Sequence, residues 1–108
     1  MTQQINPRDL ATLMANDHPV YLLDVRQPAE HELAALPGSI LIPLNELAAR
    51  VAEVRPEPEA LLVVYCHHGV RSLSAAALLQ RLGHQKVVSL AGGIDAWSHQ
   101  VDPGIPRY

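Results

Sequence analysis

A single cysteine, one tryptophan, three tyrosines and no phenylalanine stand among 108 residues. One thiol excludes an internal disulfide and a zinc cluster built on cysteines. A free thiol suits a reducing compartment, and a cytoplasmic location is the expectation. With so few aromatic residues, Leu, Val, Ile and Ala must fill the core. An excess of positive charge is also missing. The formal net charge is −3 and the Lys and Arg residues are scattered, so no nucleic-acid footprint is visible. The apolar run Leu61 to Cys66 is far too short to span a bilayer, so no membrane partner is expected. Met1-Thr2-Gln3-Gln4 lacks a basic region followed by an apolar one, so no signal peptide is expected.

What is present points to a folded unit. Apolar residues make up 48% of the chain, which argues against disorder. The length fits one domain, residues 1–108, and such a domain buries roughly two thirds of its unfolded surface. Gln3 to Ile5 reads as a short strand. Asn6-Pro7 then opens a helix, with Asn as N-cap and Pro at the first helical position. Val20 to Val25 reads as a buried strand, Pro28 to Leu33 as a short helix and Pro37-Gly38 as a turn. Ser39 to Ile42 is a short apolar run. Leu44, Leu47, Val51 and Val54 predict one amphipathic helix over 44–54. Leu61 to Tyr65 is apolar on both faces, as in a central parallel strand. Helical spacing follows from Ser72 to Leu82, a strand from Lys86 to Leu90 and a last helix from Gly93 to His99. Strands alternating with helices over short connections predict an α/β domain. Its central sheet is mostly parallel, of about five strands, with helices on both faces.

Ligands bind beyond the carboxyl ends of such strands. Asp24 to Arg26, Cys66 to Arg71 and Ala91 to Gly93 all fall there. Cys66 lies between a strand end and a helix start. The first N–H groups of a helix lack intrahelical partners, and the macrodipole adds partial positive charge. Such a place favours a charged sulfur and binds anions. Arg71 adds a charge that does not titrate away.

Cys66 to Arg71 reads Cys-x-x-Gly-x-Arg and resembles the active-site loop of rhodanese-family sulfurtransferases. Leu23-Asp24-Val25-Arg26 with Glu30 and Pro37-Gly38 resembles that family's first signature. Gly92-Gly93-Ile94-Asp95-Ala96-Trp97 resembles its closing one. The likeness runs from about Val20 to Trp97, in the family's order. Before Pro37 the family often has a Gly-His-Ile type sequence. Ala34-Ala35-Leu36 stands here instead, which bears on local packing.

The resemblance implies a rhodanese-like fold and transfer of a sulfane sulfur from a small anion such as thiosulfate. The acceptor would be cyanide, a thiol or a protein. Cys66 is the expected nucleophile and carrier of a persulfide. His67, His68, Gly69, Val70, Arg71 and Ser72 form the expected binding loop, with their N–H groups facing the sulfur. Asp24, Arg26, Glu30, Gly92 and Gly93 are expected to support it. No metal or organic cofactor is implied. Tyrosine phosphatases and related cell-cycle phosphatases carry Cys-x5-Arg, a loop one residue longer, so phosphatase chemistry is disfavoured.

Several roles stay open at this stage. Arg71 either faces the substrate or pairs with a carboxylate. Ser72 either caps the helix or donates to the anion. Arg26 pairs with Glu30 or Glu32, or sits at the pocket rim. His67 and His68 line the mouth or lie on the surface, and His18, His31, His84 and His99 receive no role. Trp97 is expected in the core. A noncatalytic rhodanese-like module for partner binding or regulation is the rival reading. A relay that passes sulfur to another protein is a third.

Overall fold

The computed structural model describes residues 2–108, so Met1 of the expected 1–108 unit lies outside the described residues. Five strands form one sheet: β1 (Gln3–Ile5), β2 (Val20–Asp24), β3 (Ile40–Leu41), β4 (Leu61–Tyr65) and β5 (Val87–Leu90). Their spatial order is β1-β5-β4-β2-β3, and every pairing is parallel. Five helices connect or flank them: α1 (Pro7–Ala15), α2 (Pro28–Leu33), α3 (Leu44–Leu47), α4 (Val70–Arg81) and α5 (Gly93–Gln100).

The start of α1 follows from local chemistry. Asn6 Oδ1 accepts a hydrogen bond from the Asp9 N–H at 2.9 Å, and Pro7 occupies the first turn, where no N–H is needed. The predicted helix over 44–54 is instead broken. Only Leu44–Leu47 is α-helical, and Val51–Glu53 forms a separate 3₁₀ turn. Around the break the N–H groups bond three residues back, as in Glu53 to Arg50 and Val54 to Val51. Three-residue steps still place Leu47 and Val54 in the core, so the apolar spacing did not distinguish the two conformations.

Alternation along the central strands builds two cores. Leu23, Leu62, Val64 and Val87 face Leu47 of α3 and Ala75, Ala76 and Leu79 of α4. Leu22, Val63, Tyr65, Val88 and Leu90 face Leu10 of α1 and Ile94 and Trp97 of α5. Trp97 is thus in the core, as expected. Ala75 and Ala76 of α4 are fully buried on that face. In the register, Asp24 lies beside Tyr65, so β2 and β4 end side by side. From β2 the chain steps outward to β3, and from β4 it steps the other way to β5. The reversal places the ends of β2 and β4 on either side of a topological switch point.

Candidate active site

Cys66 follows β4 directly, and α4 begins four residues later behind Gly69 in the left-handed conformation (φ 97°). The compact turn directs two main-chain donors at the sulfur. Gly69 N–H lies 3.2 Å from Cys66 Sγ and Ser72 N–H 3.3 Å. Ser72 is in the first turn of α4, where its N–H has no helical acceptor, so the sulfur takes that place. The Ser72 hydroxyl does not cap the helix. It is buried, 2.7 Å from Ser89 Oγ of β5, and it accepts a contact from the Cys66 thiol at 3.5 Å. Val70 points outward and is 74% exposed, whereas Cys66 is 1% exposed.

The opposite wall comes from the start of α5. Ile94 N–H donates to the Cys66 carbonyl at 2.9 Å and Asp95 N–H to the His67 carbonyl at 3.1 Å. These are first-turn donors of α5, so one helix end binds the outer side of the loop while another binds its sulfur. Gly93 makes the approach possible. It has φ +64°, and a Cβ there would fall inside van der Waals distance of the Cys66 and His67 carbonyl oxygens. Gly92 and Gly93 therefore stand beside the loop.

Two ion pairs lie next to the loop. Arg71 donates to both oxygens of Glu30, at 2.7 and 2.9 Å. Of the two readings of Arg71, the structure shows the pairing with a carboxylate. That pairing, ahead of a Gln27 N–H bond and a Tyr108 hydroxyl bond, holds the Glu30 carboxyl down at about 2. Arg26 is fully buried and pairs with Asp24, not with Glu30 or Glu32. Both residues belong to the end of β2 and the turn after it. Arg26 Nε and Nη2 bond the two Asp24 oxygens at 2.9 and 2.8 Å, and Nη2 also reaches the Ala34 carbonyl. His31, given no role above, also meets this pair: its Nδ1 is 2.7 Å from Asp24 Oδ2.

Tyr108 was not singled out from the sequence. The irregular segment after α5 is anchored by Ser98 Oγ donating to the Ile105 carbonyl and by Arg107 on Asp95 at 2.9 and 3.2 Å. It delivers the Tyr108 ring onto His67, with centroids 3.9 Å apart and planes within 6°. His67 in turn stacks on His68 at 3.8 Å and 25°. Burial and the neighbouring His68 push the His67 ring below the ordinary histidine range. His67, His68 and Asp95 each present a ligand atom within 4.8 Å of the others.

A family model described as Rhodanese-like domain matches residues 6–100. The chain is similar to a sulfurtransferase of Allochromatium vinosum, 32% identical over 106 residues that cover 98% of this chain and 94% of that protein. It is similar to a probable adenylyltransferase/sulfurtransferase, MoeZ, of Mycobacterium tuberculosis. There the identity is 33% over 104 residues, which cover 96% of this chain but 26% of that protein. Among solved structures, a rhodanese-related protein from Thermoplasma volcanium superposes with a TM-score of 0.82 at 31% identity, covering 98% of this chain and 99% of that one.

Proposed function

The chain belongs to the rhodanese-like domain family, and from that premise we propose that it transfers sulfane sulfur through a persulfide on Cys66. The observation that carries this reading is the pair of main-chain N–H groups, from Gly69 and Ser72, directed at Cys66 Sγ. Donors fixed by the fold stabilise negative charge on sulfur without reorganising, in the manner of an oxyanion hole. The Cys66 thiolate attacks the outer sulfur of thiosulfate. A bond forms between Sγ and that sulfur, the sulfur–sulfur bond of thiosulfate breaks, and sulfite leaves with the electron pair. Cyanide or a thiolate then attacks the terminal sulfur, and Cys66 regains its thiolate. The route calls for no metal or organic cofactor.

The six-residue Cys66–Arg71 loop supports sulfur transfer over phosphoryl chemistry, since a phosphate cradle of this kind is one residue longer. The small anionic donor and the thiol or protein acceptor are parts of the same proposal, as is a reducing compartment such as the cytoplasm. No helix among the described residues is long and apolar enough to cross a membrane. The second reading, a noncatalytic binding module, is favoured by one observation: the near-complete burial of Cys66. Attack on a donor requires the groups that bury Cys66 to yield.

Intact mass after incubation with thiosulfate separates the two. Transfer predicts a gain of one sulfur atom on the wild type, lost on adding cyanide with release of thiocyanate. Cys66→Ser is expected to show neither. No adduct on the wild type would overturn the transfer reading, and normal turnover by Cys66→Ser would overturn the nucleophile.

A further inference from the structure

One hydroxyl joins the two ion pairs beside the loop. Arg26 Nη1 donates to Tyr108 Oη at 2.6 Å, and Tyr108 Oη lies 2.9 Å from Glu30 Oε2. The direction of both bonds is fixed by chemistry. A guanidinium only donates and an ionised carboxylate only accepts, so the phenol accepts from Arg26 and gives its single hydrogen to Glu30. A continuous chain results: Asp24, Arg26, Tyr108, Glu30, Arg71. Its first two members are fully buried and rigidly paired. Its last member, Arg71, lies in the first turn of α4 and its side chain is partly exposed. Glu30, between them, is held on the α2 side by the Gln27 N–H at 3.0 Å and the Tyr108 hydroxyl, and it offers both oxygens to Arg71.

We propose that Tyr108 is a positioning residue: through Glu30 it fixes the Arg71 guanidinium at the rim of the Cys66 loop and so sets the site's preference for anionic reagents. The proposal rests on the reading that Cys66 takes sulfur from an anionic donor. Its physical content is narrower and is tested without sulfur transfer. Glu30 and Arg71 are both long side chains with several rotatable bonds, and a pair of this kind in partial contact with water is held weakly on its own. The tyrosine hydroxyl ties the pair to a buried, immobile guanidinium. Without it, the pair is free to swing into solvent, and the positive charge at the rim is spread over a larger volume.

Tyr108→Phe removes the hydroxyl and keeps the ring on His67. Tyr108 is 39% exposed, and the change leaves both core clusters intact. The readout is the alkylation rate of Cys66 by iodoacetate divided by that by iodoacetamide. The two reagents differ chiefly in charge, so the ratio reports the field at the rim and a merely structural loss does not move it. Tyr108→Phe is expected to lower the ratio about three- to ten-fold, toward the lower end of the coupling seen between neighbouring polar groups. In an Arg71→Gln background the same substitution is expected to leave the ratio unchanged, because the hydroxyl acts through Arg71. An unchanged ratio in Tyr108→Phe, or an equal fall in the Arg71→Gln background, would overturn the proposal. A wild type that forms no persulfide with thiosulfate would instead overturn the transfer reading and leave this ratio test standing.

Discussion

Gly93→Ala perturbs the site without altering any reacting side chain. Two costs are separable. The first is conformational: at φ +64° a Cβ costs about 1 kcal/mol. The second is steric. The new carbon would press on the Cys66 and His67 carbonyl oxygens, so the start of α5 must retreat. That retreat stretches the Ile94 to Cys66 and Asp95 to His67 hydrogen bonds, each worth about 1 kcal/mol. The sum is about 3 kcal/mol, a large share of the 5 to 15 kcal/mol that holds a typical domain together. Gly38 supplies the control. It too has a left-handed φ, +79°, but a Cβ there meets nothing within 4 Å. Gly38→Ala should therefore show the conformational cost alone. With a urea slope of about 2 kcal/mol/M, the unfolding midpoint should fall by about 1.5 M for Gly93→Ala and about 0.5 M for Gly38→Ala. Native-state iodoacetamide labelling of Cys66 should accelerate only in Gly93→Ala, because only there is the loop displaced. Equal midpoints for the two variants, with equal labelling, would refute the idea that α5 braces the loop.

Removal of the buried carboxylate is a second test. Asp24→Ala leaves the Arg26 charge enclosed with only the Ala34 carbonyl and the Tyr108 hydroxyl as hydrogen-bond partners of its guanidinium among the described residues, and should cost about 3–5 kcal/mol in a urea melt. The third test concerns pH. Glu30 is held at about 2 against an ordinary value near 4.5. Its stabilising contribution is therefore complete above the unfolded value and is lost as pH falls through the folded one. Because the carboxylate is partly in contact with water, that contribution should be about 1–2 kcal/mol. Melts of wild type and Glu30→Gln between pH 2 and pH 7 should converge at the acid end and separate at the neutral end, with the wild type the more stable.

What the sequence made legible was local. Asn6-Pro7 announced α1 because an N-cap acts on a donor three residues away. The apolar blocks gave β2 and β4 because burial on both faces leaves no alternation to read. Cys66 and its loop stood out because strand, turn and helix follow one another without a gap. Features that depend on distant partners were hidden. Tyr108 meets Glu30 across 78 positions, and no pattern near residue 108 signals that meeting. Ser89 received no role from the sequence, yet it faces Ser72 in the interior. Arg26 has three carboxylates near it in sequence, at positions 24, 30 and 32, and pairs with the one two residues back rather than with Glu30 or Glu32, because Asp24 shares its buried environment at the end of β2. The break near Ala48 was equally silent, since three- and four-residue steps bury the same apolar positions.

The sheet has a temporal consequence as well. Gln3–Ile5 is hydrogen-bonded to the strand at 87–90 and to no other. On a ribosome β1 must wait, unpaired, until β5 has emerged. The helix that props the thiol loop arrives later still. Shortened nascent chains would then hold β2 beside β4 but carry an unassembled reaction centre, and maturation of that centre would be a late event that coincides with completion of the sheet edge.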